Sequence, residues 1–144
     1  MTQPVRHLAS NPMSDRQYLD DVPDVVEARL RESCLALPDA YEEKAWVGVR
    51  WMVRTKTFAH VLGVSRSGGP VQIVVSFRAA GEELEMLRLA EHPFFVLGWG
   101  RDAIGMVLDD DTDWDEVREL MTESYCVMAP KKLVALVDRP PAPD

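Results

Sequence analysis

The chain has 144 residues and a formal net charge of −8, a length that suits one domain with its own core, independent of disulfides or metal. Hydrophobic residues make up 47% and charged residues 28%, as in an ordinary soluble globular protein. No apolar run approaches the ~20 residues of a membrane-spanning helix, and the opening MTQPVRHLASNPMSDRQ lacks the apolar stretch of a signal peptide, so the expected compartment is the cytoplasm.

Residues 1–21 are polar and weakly patterned, and read as a loose arm with a short helix around Asp15 to Leu19. DVPDVVEARLRESCLALP then carries a helix signal. Pro23 suits a first helical position, Val26, Leu30, Cys34 and Leu37 make one apolar stripe, and Pro38 closes the helix. In WVGVRWMVR, Val47, Val49, Trp51 and Val53 share one strand parity, while Gly48, Arg50, Met52, Arg54 and Lys56 share the other. TFAHVLGVS is a second strand, SRSGGP a turn, and VQIVVSFR a third strand, with Gln72, Ser76 and Arg78 opposite Val71, Ile73, Val75 and Phe77.

GEELEMLRLAEH reads as an acidic amphipathic helix with Leu84, Leu87 and Leu89 on its apolar side, stopped by Pro93. FFVL and AIGMVL are two short strands joined through GWGRD. DDDTDWDEVRELMTESYCVMA is the last long helix, N-capped at Thr112 or Asp113, with acids at its positive end and an inward stripe of Trp114, Val117, Leu120, Met121, Ser124 and Met128. Pro130 ends it, and KKLVALV leads to a Pro-rich tail at residues 138–144.

The order α-β-β-β-α-β-β-α, with tight connections between successive strands, requires antiparallel pairing. The expected fold is α+β in two layers: a five-stranded antiparallel sheet with helices on one face. One domain over residues 22–137 would hold it. The other sheet face should be at least partly open to water.

Charge is unevenly placed along the chain. From Lys44 to Gly81 there is no Asp or Glu, while Lys44, Arg50, Arg54, Lys56, Arg66 and Arg78 give the block a formal charge of +6, leaving −14 for the rest. Arg50, Arg54, Lys56 and Arg78 are expected on the helix-free face. There they form a candidate phosphate-contact surface for nucleic acid, with Gln72 and Ser76 as polar neighbours. Lys131 and Lys132 are a possible extension. The alternative is a solvated sheet face whose arginines pair with the acidic helices, and the net charge itself opposes nonspecific nucleic-acid binding.

Other constellations are weaker. Asp109, Asp111 and Asp113 have calcium-loop spacing, but Trp114 replaces the glycine and Leu120 the closing glutamate. GWGRDA matches G-x-G-x-x-A, yet a strand follows where a dinucleotide fingerprint needs a helix. Cys34 and Cys126 have neither disulfide nor zinc spacing and read as free thiols. His7, His60, His92, Glu42 and Glu43 do not assemble into a nucleophile with base and orienter. No catalytic residue, metal or cofactor is therefore assigned.

LALPDAYEE, VRWMVRTKTFAHVL, HPFFVLGWGRDAIGMVLDD and LMTESYCVMAPKKL together resemble the MmcQ/YjbR family of small bacterial proteins, over about Val25 to Leu136. The resemblance rests on their order: Leu37-Pro38 after the first helix, an aromatic-rich stretch before the last strand, then Ser124-Tyr125 and Pro130-Lys131-Lys132. It implies a two-layer fold with an antiparallel sheet, arranged as in secretion chaperones, and DNA binding through a double-wing motif. The resulting expectation is a non-enzymatic protein touching DNA weakly through the helix-free face. Two other classes stay open: a chaperone-like module taking a protein segment around Trp46 and Trp99, and a small-molecule pocket near His92, Phe95 and Trp99. Oligomeric state does not follow from the sequence.

Overall fold

The computed structural model describes residues 16–137. In chain order the elements are β1 (Arg16–Leu19), α1 (Asp24–Leu35), β2 (Tyr41–Lys44), β3 (Val49–Val53), β4 (Lys56–Arg66), β5 (Val71–Arg78), α2 (Gly81–Leu89), β6 (Phe94–Val96), β7 (Ala103–Leu108), α3 (Trp114–Met128) and α4 (Lys131–Val134). The strands form one antiparallel sheet ordered β2-β3-β4-β5-β7-β6, with β1 also paired to β4. The α+β class and antiparallel sheet are as expected, but the described residues hold seven strands rather than five.

The two additional strands are short and polar. β2 reads YEEK, the charged composition that keeps an exposed edge from pairing with other chains. β1 replaces the short helix expected around Asp15 to Leu19. β4 outruns its neighbour: β3 covers it only as far as Val61, and β1 pairs with residues Gly63 to Arg66 beyond that point. Unpaired β4 backbone thus recruits part of what the sequence suggested was an arm. The rest of that arm, residues 1–15, and the tail at residues 138–144 lie outside the described residues.

The four helices of the described residues contribute to one apolar cluster on one sheet face. Val49, Trp51, Val53, Val61, Val75, Phe77, Ile104 and Met106 meet Leu30 and Cys34 of α1, Leu84 and Leu87 of α2, Val117, Met121 and Tyr125 of α3, and Leu133 of α4. Each fully buried large side chain stabilises the fold by about 1.5–3 kcal/mol. Leu89, expected on the inner side of α2, is exposed instead. Tyr125, outside the expected α3 stripe, is fully buried with its ring edge-on to Phe58.

Two of the residues that carried the family resemblance fasten α3 to its surroundings. The Ser124 hydroxyl donates to the Phe58 carbonyl at 2.6 Å and accepts from the Arg78 N–H at 2.7 Å. The Tyr125 hydroxyl donates to the Pro38 carbonyl at 2.6 Å. Asp113 caps α3 by accepting from the N–H groups of Asp115 and Glu116.

The helix-free face is not simply wet. Leu62, Val64, Val74 and Val107 form a second apolar cluster there, covered by Tyr18, Val47, Phe95 and Trp99. Gly105 makes this possible, because a Cβ on it would stand 2.5 Å from a Phe95 ring carbon.

Candidate functional site

The helix-free face is shaped by two connections. The first is the turn from Ala45 to Gly48 between β2 and β3. Gly48 has φ +73°, and a Cβ there would lie 1.9 Å from the Val61 carbonyl oxygen, so only glycine fits. The Asp20 carboxylate accepts from the Gly48 N–H at 2.7 Å and from Lys44 Nζ at 2.6 Å. These two contacts, the lysine first, hold the Asp20 carboxyl below its usual range. His60 Nε2 lies 2.7 Å from the Val47 carbonyl, to which it donates. Burial keeps the imidazole below its ordinary pKa, assisted by the charges of Arg50 and Lys44, so His60 is neutral at pH 7 and its Nε2 carries a proton. Pinned at both ends, the turn presents Trp46 with 68% of its surface exposed.

The second connection is GWGRDA. Gly98 and Gly100 both have positive φ, so the chain turns sharply on either side of Trp99. That ring meets Tyr18 at 5.4 Å, His60 at 5.5 Å and Trp46 at 6.3 Å between centroids. The same loop supplies Asp102, whose Oδ1 accepts from Arg78 Nη1 at 2.6 Å. The stretch is a glycine-shaped connection followed by β7, not a dinucleotide fingerprint.

Between the two connections lies a half-open concavity of about 150 Å³, lined by Trp46, Trp99, Arg50, Arg78, His60 and Ser76 among others. Its chemistry combines an exposed indole, two guanidinium groups, a hydroxyl and a neutral imidazole. Both guanidiniums already have carboxylate partners. Arg50 Nη2 lies 2.6 Å from Glu43, its cross-strand neighbour on β2, and Arg78 is held by Asp102.

Of the four sequence-derived site residues, Arg50 and Arg78 meet here, and Arg54 and Lys56 do not. β3 ends at Val53, and a two-residue turn at Arg54 and Thr55 brings Lys56 opposite Val53. Cross-strand partners share a face, and Val53 belongs to the helix-side core, so Lys56 lies on that side. Arg54 has φ +56° and reaches Asp39 at 3.1 Å in the connection between α1 and β2. Lys131 and Lys132 begin α4, whose Leu133 packs into the helix-side core. Gln72 lines a different concavity, with His92 and Phe95. The residues proposed for a small-molecule pocket are therefore split: Trp99 at one concavity, His92 and Phe95 at the other.

The acid-free block is not an acid-free surface. Asp20, Glu43, Asp39 and Asp102, all from outside or at the margin of the block, pair with Lys44, Arg50, Arg54 and Arg78. Sequence reasoning grouped Trp46 with Trp99 but missed Tyr18, which joins them from β1, a segment read as an arm; the glycines around Trp99 signal its turn but not what it faces.

Elsewhere the titratable groups serve the fold. Glu42 accepts from Arg31 and from Trp51 Nε1. Burial pushes the Cys34 thiol far above its usual range, which leaves it unreactive. Among the described residues no cluster of His, Cys, Asp and Glu could hold a metal ion, and no helix is long and apolar enough to cross a membrane.

The model of the YjbR family matches residues 35–127, spanning β2 to nearly the end of α3. The chain belongs to that family. No curated protein matches it.

Proposed function

Proceeding from membership of the YjbR family, we propose that this protein binds nucleic acid through the helix-free face of its sheet. The observation that carries this reading is the exposed Trp46 ring beside a concavity holding Arg50 and Arg78. Guanidinium groups contact phosphate bidentately and an indole offers a face to a base, the pairing that nucleic-acid surfaces use. The proposal narrows the basic surface to Arg50 and Arg78 and leaves Arg54, Lys56, Lys131 and Lys132 outside it.

The carboxylates on these arginines weaken the interaction without blocking it. The Arg50–Glu43 and Arg78–Asp102 pairs are partly exposed, and such pairs contribute only about 0–1 kcal/mol. A phosphate can therefore take over guanidinium hydrogen bonds at small cost. With net charge −8 the expected affinity is low and falls with salt.

Fluorescence anisotropy with a labelled mixed-sequence oligonucleotide at ~50 mM salt, where phosphate contacts are strong, tests this. Wild type should bind, and Arg50→Gln with Arg78→Gln should remove binding while thermal unfolding stays cooperative. Absence of wild-type binding to both single-stranded and duplex probes at that salt contradicts the reading. The second reading, an apolar protein segment on Trp46, predicts binding that is indifferent to salt and to both arginine substitutions.

A further inference from the structure

We infer that the ligand of this face is single-stranded rather than duplex nucleic acid, with a base stacked on Trp46; the inference rests on the nucleic-acid reading above. Three features of the molecule carry it.

The first is the state of the Trp46 ring. Its neighbours Tyr18 and Trp99 meet it at interplanar angles of 78° and 56°, so neither ring stacks parallel on it. With 68% of the residue exposed, the indole keeps surface for a planar partner. The turn that carries it is tied down by Asp20 through Gly48 and by His60 through Val47. Its position is therefore set before any ligand arrives, which lowers the ordering cost of binding.

The second is the size of the basic surface. Duplex binders that depend on phosphate contacts need many cations arrayed along the backbone. Here Arg50 and Arg78 meet at the concavity, both answered by carboxylates; Arg16 and Arg66, paired across β1 and β4, lie farther along the same face, with Arg16 turned to the Leu97 carbonyl and the Phe95 ring, and Arg54, Lys56, Lys131 and Lys132 lie elsewhere. Two phosphate contacts beside Trp46 hold a duplex poorly against a net charge of −8. They can hold a strand whose bases add stacking, because stacking is insensitive to the protein's charge.

The third is geometric. A duplex keeps the faces of its bases inside the stack, where an exposed indole cannot reach them, whereas a single strand presents them. The four helices of the described residues pack on the opposite side of the sheet, so among those residues this face has no helix to place in a groove. The concavity beside Trp46, about 150 Å³, suits a phosphate or part of one nucleotide.

The experiment compares a labelled thymidine oligonucleotide of about ten residues with its duplex of equal length, at ~50 mM salt, by anisotropy and by quenching of tryptophan emission. The inference predicts binding of the single strand at least about tenfold tighter than the duplex, with quenching. The slope of log K against log salt should be near −1.4, for two phosphates at about 0.7 each. Trp46→Ala should weaken single-strand binding about tenfold or more, and Trp46→Phe should restore most of it, because a phenyl ring still stacks. Duplex binding equal to or tighter than single-strand binding overturns the inference. So does a Trp46→Ala variant that binds normally while Arg50→Gln with Arg78→Gln does not; the nucleic-acid reading survives both results. Failure to bind either probe overturns that reading as well.

Discussion

Trp51 has no exposed surface, and its indole N–H has one acceptor, Glu42 Oε1 at 3.0 Å. The same carboxylate is gripped by Arg31 at 2.8 Å. Removing it strands a buried donor, which costs about 1–3 kcal/mol. Glu42→Ala should lower stability by that amount in urea unfolding with an unchanged m-value, and Glu42→Gln, which keeps an acceptor, should cost less. Arg31 first, then the Trp51 N–H, draws the Glu42 carboxyl below its ordinary 4.5 against an opposing effect of burial. Its contribution is therefore present above about pH 4.5 and lost as the pH falls through the depressed folded value. His60 works at a different pH. Its folded pKa lies below the ordinary 6.5, so the unfolded chain binds the proton more readily. Stability should be full above about pH 6.5 and decline as the pH drops below it. A comparison of Tm at pH 7.5 and pH 5.5 checks this, and His60→Gln should shrink the difference.

Elements with an internal period were legible in the sequence, and those defined by a partner were not. α1 and α3 repeat apolar residues every three or four positions, β3 and β5 largely alternate, and β4 is a long β-rich run, so each announces itself. β1 and β2 are polar four-residue strands whose existence depends on the edges of β4 and β3. The candidate site divides the same way. Strand parity correctly puts Arg50 opposite Trp51. It fails for Arg54 and Lys56 because parity lasts only as long as the strand, and β3 stops at Val53. The turn carrying Trp46 depends on Gly48, where a Cβ would strike backbone rather than a yielding side chain. Gly48→Ala should therefore destabilise the protein by about 1–3 kcal/mol or more. It should also speed hydrogen exchange at residues 45–48 beyond the change elsewhere, as mass spectrometry or NMR would show.

For the molecule as a whole, charge along the chain and charge across the surface differ. The sequence separates a +6 block from a −14 remainder, and folding largely recombines them through Asp20, Asp39, Glu43 and Asp102. What distinguishes the helix-free face is therefore less its charge than the joining of two arginines to an aromatic group drawn from β1 and two connections. The motif residues that carried the family resemblance act elsewhere: Ser124 and Tyr125 bind α3 to the sheet and to Pro38, and Pro130 starts α4. They maintain the two-layer frame on which the face is built. The most direct test of that face is an NMR titration of ¹⁵N-labelled protein with a short thymidine oligonucleotide. The account predicts shifts at the indole N–H signals of Trp46 and Trp99 and at the backbone amides of Arg50, His60 and Arg78, with those of Lys56, Lys131 and Lys132 unmoved. Shifts confined to the helix layer, or to Arg54, Lys56, Lys131 and Lys132 with the Trp46 indole silent, would contradict it.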